Sequence, residues 1–395
     1  MPTIANVFDR ASLLLLCRLL SGNPSKRAEA IAELSTGKVG AAVVTLAQKE
    51  DLSSALYEAV SAYSESLPRL QRVRLAVCHE ANRRRNQLIR DAVAEIAAEA
   101  ERYSIEVVAL KGARWVLEDG VGFAAWRSMI DIDILVRVED YGAMRPIMER
   151  LGYRSTRRER TFLGQSRFAG HYHMVALRRN REPFTIEVHR HVGFQPALLS
   201  TESLFEQSYA VAPGLRLPCL WHAALHAIIH WQIHHYGTQL GFHRVKDGLD
   251  IARFLGRPDV DWSALADHAA RVGIIRKVDA ALATVTQLFA VPLPDAFHVS
   301  ADAQQYVAKA LQTGETRLRR WRAKQRQRIE RLWDDHRFVY RSNLRKAHPA
   351  VTRIGLWALR VRRLPFLISH LASIALLQIL ISIQHVFRWN QGPDP

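Results

Sequence analysis

Residues 129–136 read MIDIDILV, an apolar run that carries two aspartates one residue apart. Side chains alternate faces along an extended strand. Asp131 and Asp133 therefore point one way, and Ile132, Ile134 and Val136 point the other. Two like charges side by side are costly unless a cation sits between them, and a divalent metal with oxygen ligands is the natural candidate. A solvated edge strand with two surface aspartates is the alternative that this pair alone leaves open.

A second segment, FTIEVHRHV, bears on that choice. Thr185, Glu187, His189 and His191 share one face, with Phe184, Ile186 and Val188 on the other. Three carboxylates facing one site can hold two magnesium ions, which clamp nucleotide phosphates and polarise an attacking hydroxyl. Upstream, LKGARW places Gly112 at a strand-to-helix turn, where backbone N–H groups can receive phosphate. Lys111 and Arg114 add positive charge beside the turn, and Arg127 could neutralise a phosphate. Structural ion pairs are the competing role for Lys111 and Arg127. His189 either orients a carboxylate or packs on a neighbouring helix.

Positioning these residues requires a strand over IEVVALKG from Ile105, a second over MIDIDILVRV, and a helix over DYGAMRPIMERLGY ending at Gly152. YHMVALRR and FTIEVHRHV supply two further strands around the turn-like NREP. Before residue 105 the spacing is helical throughout, as in RDAVAEIAAEAERY, and ASLLLLCRLLSG reads as an amphipathic first helix. After APGLRLP at 212–218 the chain turns helical again. The expected fold is α+β: a small mixed β-sheet core with helical segments on both sides. The expected divisions are an N-terminal helical region at 1–104, the core at 105–212, a helical substrate-side domain at 213–292 and a basic helical region at 293–395.

His222, His226, His230 and His234 recur every four residues and climb one helix face. Such pairs can bind zinc, but no HExxH pattern is present, and the ladder reads first as the lining between this helix and the core. His226 and His230 are the members placed nearest the site, with Lys246 and Asp247 of KDGLDIA as supporting residues beside Asp250.

The chain has 395 residues, ample for several domains, and a net charge of +17. Residues 314–363 hold 16 Lys/Arg against four acidic residues and so carry +12 of that excess. With Trp321 and Trp333 in it, this stretch could contact nucleic acid or an acidic lipid surface, with a solvated basic helix as the alternative. Residues 364–387 lack charged side chains, yet Ser, His and Gln dilute them. A docking helix is expected there, with membrane-spanning or interfacial placement as alternatives. Three widely spaced cysteines give neither a disulfide framework nor a metal pattern and suit a reducing cytoplasm.

The order LKG, then Arg127, DIDILV, LGY and IEVH resembles a bacterial family of uncharacterised nucleotidyltransferases, a branch of the polymerase-β-like superfamily. LHAIIH and RVKDGLDIARFL resemble the family's downstream helices, so the likeness spans roughly residues 80–290. It implies that Asp131, Asp133 and Glu187 are metal ligands, Glu187 also a base for the acceptor hydroxyl, and Gly112 the shaper of the phosphate turn. It further implies Mg2+ or Mn2+, an NTP, and an acceptor for which a small molecule or peptide is favoured. One departure is Gly112-Ala113 where the wider superfamily has Gly-Ser. A DxD-type glycosyltransferase and a catalytically degenerate binding module remain the alternatives. The first requires an alternating strand–helix region upstream of LKG.

Overall fold

The computed structural model describes residues 10–35, 40–118, 125–156, 161–162, 165–166, 172–235 and 245–311. All of them lie in a compact unit spanning residues 1–330. The basic stretch at 314–363 and the apolar stretch at 364–387 lie outside the described residues.

Four short helices open the chain: α1 (Arg10–Leu19), α2 (Pro24–Ser35), α3 (Gly40–Lys49) and α4 (Ser53–Val60). Helix α1 buries Leu13, Leu15, Leu16, Cys17 and Leu19, as an amphipathic first helix requires. The long helix α5 (Arg69–Glu101) follows, roughly 50 Å at 1.5 Å per residue. Its C-terminal half buries Ile89, Val93, Ile96 and Ala97, a spacing of three and four that keeps one face on the sheet. Among the described residues no strand precedes β1, so the upstream strand–helix region needed by the glycosyltransferase alternative is not seen there. No single described helix is long and apolar enough to cross a membrane.

The core is α+β, as its alternating strands require. Strand β1 (Val107–Ala109) leads into helix α6 (Ala113–Leu117), strand β2 (Asp131–Leu135) into α7 (Tyr141–Arg150). Then come β3 (Arg154–Ser155), a separate hairpin of β4 (Thr161–Phe162) and β5 (Gln165–Ser166), β6 (Leu177–Arg178) and β7 (Thr185–His189). Helix α8 (Thr201–Glu206) precedes a closing hairpin, β8 (Ser208–Ala212) and β9 (Leu215–Pro218). The seven-stranded sheet runs β3-β6-β7-β2-β1-β9-β8 and is mixed: β2 pairs parallel to β7 and antiparallel to β1, while β9 runs parallel to β1.

Two strand readings change. YHMVALRR contributes only Leu177–Arg178 to the sheet, plus an isolated bridge between His173 and His189. APGLRLP, expected only to lead into the downstream helices, holds a strand of its own: Pro213-Gly214 turns a hairpin whose second strand extends the sheet through β1. Gly214 has φ +66°, and a Cβ there would lie 2.5 Å from the Ala97 carbonyl of α5, so close approach and a left-handed turn both demand glycine.

One sheet face packs on α5 and α7 through Ile132, Ile134, Val136, Ile186 and Val188. The remaining helices are α9 (Leu220–Ile229), α10 (Val245–Leu255), α11 (Trp262–Arg271), α12 (Ile275–Phe289) and α13 (Ala301–Leu311). They share one apolar core with α1–α4, which also reaches Val108 and Leu135 of the sheet. Helix α9 continues into a π-helical turn at His230–His234, with the His235 N–H bonded to the His230 carbonyl at 2.9 Å. That turn shapes the site.

Candidate active site

The parallel register of β2 and β7 sets Asp131 opposite Thr185, Asp133 opposite Glu187, and Leu135 opposite His189. Alternation then puts Asp131, Asp133, Glu187 and His189 on the face that is not buried against α5 and α7. Asp133, Glu187 and His189 converge, one ligand atom from each lying within 4.8 Å of the others. Asp131 sits exposed at the start of the strand, outside that convergent group.

Asp133 is almost fully buried, and two groups hold it. His189 Nε2 donates to Oδ1 at 2.7 Å, and Lys111 Nζ approaches Oδ2 at 3.0 Å. Burial opposes ionisation of Asp133, yet Lys111 and His189 outweigh it and hold the carboxyl well below its usual range. Burial likewise opposes the charge on Lys111, and Asp133 outweighs it, raising the ammonium. Glu187 moves the other way. Burial and then the Asp133 charge push its carboxyl up, and His173 Nδ1 and His189 Nε2 each stand 3.8 Å from Oε2.

Lys111 reaches Asp133 because its own backbone is left-handed, at φ +49°. Gly112 is helical at φ −62° and caps α6. Glycine is needed there for space, since a Cβ would meet Met129 Sδ at 2.5 Å and Arg127 Nε at 3.4 Å. The amides of Ala113 and Arg114 already bond the carbonyls of Leu110 and Lys111. Those two amides at the start of α6 are therefore already engaged within the turn.

Arg114 does not join the group. Its fully buried guanidinium donates to the Pro218 carbonyl at 2.5 Å, Tyr209 Oη at 2.9 Å and Glu118 at 3.2 Å, and Glu118 also pairs with Arg257. It braces α6 against the β8–β9 hairpin. Arg127 lies closer to the chemistry. It pairs with Asp250 at 2.6 Å and lines a narrow pocket of about 40 Å³ with Lys111, His230 and Asp247. The Asn86 side chain of α5 donates to the Arg127 carbonyl at 3.0 Å, and Asn82 donates to the Ala125 carbonyl, so two asparagines one turn apart anchor the lead-in to β2.

The histidine ladder divides. His222 bonds Ser203 Oγ at 3.2 Å beside Trp221, and burial lowers it to about 4. His226 is buried next to Lys111 and Asp133; burial first, then the Lys111 charge, lower it well below its ordinary value. His230 shares that environment and lines the pocket. The π turn sends His234 over Gly193, where any Cβ would collide with its ring, and toward Tyr172 and Phe194. His235 turns instead to α10, with Nδ1 3.0 Å from Asp247 Oδ2. Lys246 reaches Asp51, 3.7 Å away just beyond α3. The sequence reading passed over His235, His173 and Asn86; only Asn86 had a legible signal, its position one turn from Asn82 on the buried face of α5.

A buried and a half-buried carboxylate paired across parallel strands, with a histidine fixing one and an ammonium balancing it, suit a hard divalent cation. The family model described as "Uncharacterised nucleotidyltransferase" matches residues 41–290, and the chain belongs to that family. The match begins at α3, so it takes in N-terminal helices as well as the sheet. No curated protein and no solved structure matches the chain.

Proposed function

We propose that this chain is a metal-dependent nucleotidyltransferase that moves a nucleoside monophosphate from an NTP to an acceptor hydroxyl or phosphate, releasing pyrophosphate. The observation that carries this reading is the direct pairing of Asp133 with Glu187 in one cluster, with Lys111 on Asp133. Asp133 and Glu187 would hold Mg2+ or Mn2+, with Asp131 at the exposed mouth as a ligand for a second ion. The ions would neutralise the triphosphate and polarise the attacking hydroxyl.

The chain's own residues supply positioning and charge. His189 fixes the orientation of Asp133, and Lys111 provides a cation that can turn to a phosphate when another cation takes its place at the carboxylate. Glu187, with its carboxyl raised by burial and by Asp133, is the group placed to accept the acceptor's proton. Arg127, fixed by Asp250 and Asn86, lines the pocket wall. A small molecule or peptide is the favoured acceptor.

The test uses an NTP labelled on either the α- or the γ-phosphate, offered with Mg2+ to pools of small hydroxylated metabolites and peptides. The α-label should enter the acceptor and the γ-label should leave as pyrophosphate, and Asp133→Asn should abolish both. Transfer of the γ-label to an acceptor would instead mark a kinase and overturn the proposal.

A further inference from the structure

We infer that His230, His235 and Asp247 form a second metal site, one that takes a nitrogen-preferring divalent ion of the zinc and cobalt class. One ligand atom from each lies within 4.8 Å of the others. The site shares no residue with the Asp133–Glu187–His189 cluster.

The backbone makes the case. His235 lies five positions after His230. On a regular α-helix that spacing turns the side chains about 140° apart, at 100° per residue. The π-helical turn at His230–His234 widens the helix, closes on the His235 N–H to His230 carbonyl bond, and brings the two imidazole rings to 4.0 Å between centroids. Such turns are rare, distort hydrogen-bond geometry and recur at functional sites. Here the distortion pairs the two imidazoles and faces them toward Asp247, a buried carboxylate from the first turn of α10.

The donor set then selects the ion. Two imidazole nitrogens and one carboxylate oxygen suit zinc, cobalt or iron, and suit magnesium poorly. Three protein ligands leave at least one coordination position open. His230 and Asp247 line the pocket that also holds Lys111 and Arg127, so an oxygen anion could complete the sphere from there. This inference does not depend on nucleotidyl transfer.

The full chain, stripped with chelator, would be titrated with Co2+ and read by its ligand-field absorption. One equivalent should bind, its spectrum should survive Asp133→Asn/Glu187→Gln, and its affinity should fall at least tenfold in His235→Ala and in Asp247→Asn. X-ray absorption of the unmutated protein loaded with one equivalent of zinc should report two imidazoles and does not rely on any variant folding. Failure to bind one equivalent, loss of the spectrum in the Asp133/Glu187 variant alone, or a single imidazole would each overturn the inference.

Discussion

Lys111 Nζ stands 3.0 Å from Asp133 Oδ2 inside the carboxylate cluster, so the protein itself balances the charge that a metal ion would balance. On the proposed function, the ammonium and a metal ion would compete for one carboxylate. A bound nucleotide would resolve that competition by offering Lys111 a phosphate. Mg2+ without nucleotide should therefore bind weakly, and Mg2+ with NTP tightly.

Lys111→Met should expose that competition. It leaves Asp133 buried with only His189 as partner, at a cost of about 3 kcal/mol, the low end for breaking a buried pair because Lys111 is partly exposed. Thermal unfolding should show the loss, and Mg2+ alone should stabilise the variant more than it stabilises the unmutated protein. Equal responses to Mg2+ in the two proteins would count against the competition.

Metal–nucleotide binding should also depend on pH through Glu187. Its carboxyl is raised in the folded protein, so folding favours its protonated form, and that contribution is lost as pH rises through the folded value. Binding a cation needs the ionised form. Affinity for Mg–NTP should fall as pH drops through the raised value, with proton release on binding in that window, and Glu187→Gln should abolish the release. Calorimetry in buffers of different ionisation heat counts the protons.

His222 predicts a separate acid sensitivity. Burial lowers its imidazole to about 4 against an ordinary value near 6.5, so the unfolded chain binds a proton that the folded protein refuses. Stability should hold above pH 6.5 and decline by about 3 kcal/mol toward pH 4. His222→Leu should flatten that limb of a pH series of denaturant unfolding curves. An unchanged slope would assign the sensitivity elsewhere.

Asn86 and Gly112 act as positioning residues. Asn86→Ala leaves the Arg127 carbonyl without its side-chain donor and should cost about 1–3 kcal/mol. Gly112→Ala drives a methyl into Met129 and should cost about 1–3 kcal/mol through overpacking. Met129→Ala placed in the Gly112→Ala background should recover part of that loss, a coupling that a double-mutant cycle measures.

The strands that carry the carboxylates, and the face each side chain takes, were legible because alternation is a strict rule. Asp133, Glu187 and His189 could be put on one face from MIDIDILV and FTIEVHRHV, and the parallel register then brought them together. What escaped depends on direction and local backbone, which periodicity does not carry. Arg114 sits one residue into a five-residue helix, and its rotation there turns it to Pro218 and Tyr209 rather than to the site. The histidine ladder looked continuous because a four-residue repeat assumes an unbroken α-helix; one π turn exchanges His234 for His235. Pro213-Gly214 reads alike as a linker or as a hairpin turn, and only pairing between β1 and β9 decides it.

The central claim is that Asp133 and Glu187 together hold the metal of a bound NTP. It is tested most directly by calorimetric titration of ATP, GTP, CTP and UTP, each with and without Mg2+, on the unmutated protein and on Asp133→Asn and Glu187→Gln. One NTP should bind only with Mg2+, and either substitution should weaken it by at least tenfold while thermal unfolding confirms a folded protein. Binding that ignores Mg2+, or that survives both substitutions, would contradict the account.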